Sequence, residues 1–141
     1  MLRSVPCSMR ISGSMILLDT HILLWTLRGE ERLGSSAAEL IATHHPAHYS
    51  SISVLEMTIK TMRGRLEIPR DVCSILDDIG LRQVPWVGEH AEAMEDFPEL
   101  AGHDPFDRAL VAQAAAEQLT FLTADRRLLG LGRPSILDAT R

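Results

Sequence analysis

Long hydrophobic runs are missing from this chain. The apolar stretches Met15–Leu18 and Ile22–Leu27 are separated by Asp19 and His21 and fall far short of the ~20 residues that span a bilayer, which excludes a transmembrane helix. A secretory leader fits poorly, because Ser12, Gly13 and Ser14 stand where its apolar region would begin, so a cytoplasmic protein is expected. Cysteine is nearly absent. Cys7 and Cys73 have no metal-ligand spacing and form no secreted framework, so both read as free thiols and zinc held by cysteine is excluded. Lysine occurs once, as Lys60, which leaves arginine, with its planar fork suited to phosphate oxygens, as the main cation. An excess of positive charge is also lacking: 19 acidic against 14 basic residues give a net charge of −5, arguing against nonspecific nucleic-acid binding through bulk charge. No Gly-x-Ser-x-Gly elbow and no phosphate-binding glycine loop is present, and the hydrolase and nucleotide-binding readings that need them fall away.

What is there suits one compact domain: 141 residues, 45% hydrophobic and 23% charged. Residues 1–14 carry Ser, Pro and Gly without periodicity and read as a loose, disordered extension from an over-long gene start, with the folded domain expected over 15–141. Strands are predicted over Met15–Leu18, Tyr49–Ile52, Arg82–Val84, Leu119–Thr123 and Ser135–Leu137. Helices are predicted after Asp19 as far as Gly29, then over Ala37–His44 with Ser35 or Ser36 as cap, Ser53–Arg63, Asp71–Ile79, Glu89–Asp96, Asp104–Gln118 and Arg126–Leu129. Such alternation argues an α/β domain, a mostly parallel central sheet flanked by helices on both faces.

Chemistry in these folds sits at the carboxyl ends of the strands. There the sequence repeatedly offers a carboxylate: Asp19 after the first strand, Glu56 early in the helix after the second, Asp125 after the fourth, and Asp104 and Asp107 opening the long helix. Carboxylates brought together without cations repel, and a divalent ion is the usual reason to keep them; oxygen-only ligands favour magnesium or manganese. Each acid also has a purely structural reading. Ser53 and Glu56 form a capping-box pattern, Asp104 and Asp107 complement a helix N-terminus, and Asp125 suits an N-cap. Asp19 is harder to explain so, since a lone charge at the end of a buried strand is costly.

The segments Met15-Ile16-Leu17-Leu18-Asp19-Thr20-His21, Ser53-Val54-Leu55-Glu56-Met57-Thr58-Ile59-Lys60, Gly64-Arg65-Leu66, His103-Asp104-Pro105-Phe106-Asp107-Arg108 and Leu122-Thr123-Ala124-Asp125 resemble, in order and spacing, the PIN-domain nucleases, most nearly the VapC-type toxins of type II toxin–antitoxin systems. The resemblance spans Met15 to about Ala139. It implies a three-layer domain and a magnesium- or manganese-dependent endoribonuclease. Asp19, Glu56, Asp107 and Asp125 match the family's four acids, with Asp19 and Asp107 holding the ion directly and Glu56 and Asp125 acting through water or on a second ion. Asp104, also in the third motif, is an alternative ligand but is read as the helix cap. Thr20 and Thr123 match supporting hydroxyl positions. The implied partners are RNA, a cognate VapB-like antitoxin and a second copy in a homodimer.

Arg108, Arg126 and Arg127 stand nearest the acids in sequence and are the candidate RNA contacts, pairing with Glu or Asp being the alternative. Ile22, Leu23, Trp25 and Leu27 cover more than one face of their helix and are either core or an antitoxin-facing surface. His44, His45 and His48 read as helix-end residues complementing the dipole, and His103 as a loop histidine. Two rivals to the nuclease remain. One is a catalytically inert module of the same fold that binds RNA or protein. The other is a phosphatase or receiver using Asp19, which ranks last because position 21 is His where a second aspartate is needed.

Overall fold

The computed structural model describes residues 15–30, 32–44 and 46–141; the expectations for residues 1–14, Cys7 and His45 lie outside these. Five strands form one sheet: β1 (Ile16–Leu18), β2 (His48–Ser50), β3 (Arg82–Val84), β4 (Thr120–Thr123) and β5 (Ile136–Asp138). Their order is β3-β2-β1-β4-β5, and every neighbouring pair is parallel. Seven α-helices accompany the sheet among the described residues: α1 (Thr20–Arg28), α2 (Ser35–Thr43), α3 (Ser51–Met62), α4 (Val72–Asp78), α5 (Gly88–Ala93), α6 (Pro105–Ala116) and α7 (Arg126–Leu129). Two short 3-10 turns, Met94–Asp96 and Pro98–Leu100, link α5 to α6.

β1 is central because it is apolar on both faces. Ile16 and Leu18 point into one core with Ile22 and Leu23 of α1, Met57 of α3 and Val72 and Leu76 of α4. Leu17 points into a second core with Phe121 and with Leu110, Val111 and Ala114 of α6. The α/β three-layer expectation is met. Because the chain leaves β1 toward β2 and β3 on one side and returns to β4 and β5 on the other, the carboxyl ends of β1, β2 and β4 border a crevice where strand order reverses. α6 turns directly into β4, so its N-terminus lies at that same end of the sheet.

Several local expectations are corrected. The second strand is His48–Ser50, not Tyr49–Ile52, and the helix after it begins at Ser51. The Ser50 hydroxyl, accepting from the Ile52 N–H at 2.9 Å, is the cap, so the Ser53–Glu56 capping box does not form. His48 lies buried in β2 rather than at a helix end, with its Nδ1 3.3 Å from the Ile16 carbonyl. Ser35 is the first residue of α2 and not its cap; Gly34 holds that position, where a Cβ would collide with the Arg141 backbone. The last strand runs Ile136–Asp138, one residue later than predicted. Ile22 and Leu23 are fully buried core, whereas Trp25 and Leu27 pack on the same core only partly buried. Among the described residues, the exposed large apolar side chains are Leu55, Met62 and Ile79.

Candidate active site

Asp19 leaves β1 and caps α1 while only 2% exposed. Its Oδ1 accepts from the Thr20 N–H at 2.7 Å and its Oδ2 from the Thr123 hydroxyl at 2.6 Å. Burial pushes this carboxyl above the usual aspartate range, and the two hydrogen bonds oppose that rise by favouring the charged form. The expected supporting threonines thus have definite roles. Thr123 Oγ1 also accepts from the Asp125 N–H at 3.0 Å, tying the end of β4 to that of β1. The Thr20 hydroxyl donates to Ser53 at 2.8 Å, fixing α1 against α3. Ser53 therefore matters as a buried acceptor inside α3, a role its capping pattern concealed.

Glu56 lies one turn further along α3 and is also buried. Oε2 accepts from the Lys60 ammonium at 2.7 Å, whereas Oε1 is buried with no hydrogen-bond partner. Lys60 is the residue sequence reasoning missed; its i, i+4 spacing from Glu56 was the available signal.

Asp107 stands in the first turn of α6, half-buried. Its carboxyl is pushed up to about 7, first by loss of solvent and then by the negative charges of Asp19, Asp104, Asp125 and Glu56. That set of neighbours locates the cluster: the other four sequence-predicted acids all act on Asp107. Asp104 is the exposed N-cap of α6, its Oδ1 accepting from the Phe106 N–H at 2.8 Å and the Asp107 N–H at 3.4 Å. Asp125 caps α7 through Oδ1, from the Arg127 N–H at 2.8 Å and the Leu128 N–H at 3.3 Å. The capping readings of Asp104 and Asp125 therefore hold, and in Asp125 capping coexists with a place in the cluster.

As the side chains stand, no group of three His, Cys, Asp or Glu among the described residues is arranged to grip an ion. Their chemistry nevertheless fits a hard divalent cation. The donors are all carboxylate oxygens, one of them is buried without a partner, and like charges raise Asp107 by mutual repulsion that a cation would relieve. Of the candidate RNA-contact arginines, Arg126 donates to Asp138 at 3.1 Å and to Thr140 at 3.3 Å, which is the structural pairing. Arg108 and Arg127 form no ion pair with a described residue.

Comparison with known proteins agrees with this architecture. Ribonuclease VapC22 of Mycobacterium tuberculosis is 27% identical over 115 residues, covering 80% of this chain and 88% of that protein. Three solved structures share the fold. A toxin–antitoxin complex from Klebsiella pneumoniae superposes with a TM-score of 0.59 at 16% identity, covering 86% of this chain and 95% of that one. VapBC2 from Rickettsia felis bound to a promoter DNA fragment gives 0.63 at 18% identity, with 88% and 96% covered. DNA-bound VapBC from Salmonella typhimurium gives 0.62 at 18%, with 89% and 98% covered. A family model for the PIN domain matches residues 16–133, from the first residue of β1 past the last acid of the cluster, and the chain belongs to the PIN-domain family.

Proposed function

We propose that this protein is the toxin of a type II toxin–antitoxin system, an endoribonuclease that hydrolyses RNA phosphodiester bonds with magnesium or manganese. The observation that carries the reading is the gathering of Asp19, Glu56, Asp104 and Asp125 around Asp107, where burial and their charges push its carboxyl up to about 7. Asp19 and Asp107 would hold the ion, with Glu56 and Asp125 beside them and Asp104 left as the cap. When bound, the ion lowers the pKa of a water and stabilises the charge that builds on the phosphorus. Thr123 and Thr20 fix Asp19 through their 2.6 and 2.7 Å bonds to it, which favour its charged form against the effect of burial. Arg108 and Arg127 would guide the RNA backbone, and Arg126 contributes less because Asp138 engages it. Similarity to Ribonuclease VapC22 and to the VapBC complexes supports RNA as substrate and a VapB-like antitoxin as partner. A cytoplasmic homodimer, silenced by that antitoxin, is the assembly this reading implies. Among the described residues no helix is long and apolar enough to cross a membrane.

The test is RNA cleavage by the purified protein with Mg2+ or Mn2+, with excess chelator, and with Asp19→Asn. Cleavage that needs the metal and Asp19 supports the reading; equal cleavage in chelator overturns the metal role. The inert-module reading draws on the open arrangement of the carboxylates. It predicts RNA left intact under every divalent condition and binding indifferent to Asp19→Asn.

A further inference from the structure

Among the described residues, Glu56 is the only acid of the cluster in an ion pair. An ordinary i, i+4 pair lies on a helix surface with both carboxylate oxygens in water, but here the Glu56 side chain is 5% exposed and Lys60 40%. The two oxygens are treated unequally. Lys60 occupies Oε2, and Oε1 is left buried and bare, on a carboxylate whose charge both Asp19 and Asp107 sense. The last torsion of a glutamate is soft and roughly two-fold, so nothing intrinsic to the side chain decides which oxygen faces the cluster or whether both do. Here the ammonium, on a side chain 40% exposed, engages Oε2 and leaves Oε1 unbonded.

Building on the proposed metal site, we infer that Lys60 is a positioning residue that restricts Glu56 to offering a single oxygen, Oε1, and thereby favours magnesium and manganese over calcium. The reason lies in the ions. Magnesium requires near-octahedral geometry, keeps several waters and takes carboxylates one oxygen at a time, while calcium accepts more ligands and readily takes both oxygens of one carboxylate. With Lys60 removed, Oε2 is released and Glu56 is free to swing into the two-oxygen mode that suits calcium.

Metal-stripped whole protein, without RNA, is titrated with Mn2+ and separately with Ca2+, by calorimetry and by the shift in unfolding temperature. Wild type should prefer Mn2+. Lys60→Met should weaken Mn2+ by about tenfold, the scale on which groups supporting a metal ligand act, while Ca2+ binding holds or tightens. Lys60→Arg should restore most of the preference. On a Glu56→Gln background Lys60→Met should change nothing further, which separates an effect through Glu56 from a general loss of charge. Circular dichroism confirms folding, with Lys60→Gln as the substitute if Lys60→Met fails to fold. An unchanged Mn2+ to Ca2+ ratio in Lys60→Met overturns the role of Lys60 and leaves the metal site standing. A wild type that binds neither ion overturns both.

Discussion

Two groups of buried polar side chains can be set side by side. Between α5 and α6, His90 accepts from the Val87 N–H through Nδ1 at 3.0 Å, which leaves its Nε2 to donate to Glu117 at 2.7 Å. Gln113 donates to the Val84 and Pro85 carbonyls at 3.3 and 3.2 Å, and Trp86 stacks obliquely on the imidazole at 5.4 Å. Apart from Gln113 Oε1, this group is satisfied, each donor meeting an acceptor. At the carboxyl end of the sheet the chemistry is reversed: acids gather around acids, and burial with their charges pushes Asp107 up to about 7. Polar groups that serve only the fold are paired with opposites, since leaving them unpaired destabilises. Groups kept together against their own repulsion point to something outside the chain that completes them.

That contrast can be broken at either end, and the largest effect falls on activity. Asp107→Asn should lower RNA cleavage by about 100-fold or more, because the amide loses the charge that binds a cation. The same substitution should raise the unfolding temperature of the metal-free protein, because it removes a repelled charge. A lowered temperature would place Asp107 among the structural residues. The second effect is on stability alone: Glu117→Ala strands His90 in a buried site and should cost roughly 1–3 kcal/mol in urea unfolding, with metal binding unchanged.

The third prediction follows from the sign of the Asp107 shift. Its pKa rises from 3.8 to about 7 on folding, so between these values the folded chain holds a proton that the unfolded chain has released. Stability of the metal-free protein should therefore fall as pH rises through that window and recover on acidification. After allowance for partial exposure the swing is about 1–2 kcal/mol. Saturating Mn2+ should flatten it, and a metal-free profile that improves steadily from pH 4 to 7 would contradict the repulsion. Smallest is the arginine contribution. Replacing both Arg108 and Arg127 by Gln should reduce the salt dependence of RNA binding by about two phosphate contacts, whereas Arg126→Gln should leave it nearly unchanged. The reverse order would return Arg126 to the RNA path.

The features legible in the sequence were those set by neighbouring residues. Met15-Ile16-Leu17-Leu18 can hide only in a sheet covered on both sides, and Asp104-Pro105 marks a helix start by cap and ring geometry. Strand β2 was misplaced because His48, Tyr49 and Ser50 form no apolar run; its pairing with β1 and β3 defines it. Ser53 satisfied the local capping rule, yet Ser50 took the cap and Thr20, 33 residues away, claimed the Ser53 hydroxyl. The five acids were readable because each follows a strand or opens a helix. What holds Asp19 was not: the Thr123 hydroxyl that donates to it lies 104 residues away, a separation no periodicity encodes.

The placement of β4 beside β1 has a consequence for the order of events during synthesis. Asp19 emerges early, but its partner Thr123 comes 104 residues later, and until β4 pairs with β1 one flank of the central strand is open. A growing chain can assemble β1, β2 and β3 with α1 to α4, yet it holds Asp19 and Glu56 without Asp107, Asp125 or the hydroxyl that fixes Asp19. Parallel pairings between distant segments form late, since the loop must close before the contacts stabilise it. The acidic cluster is therefore incomplete in any growing chain that ends before Asp125.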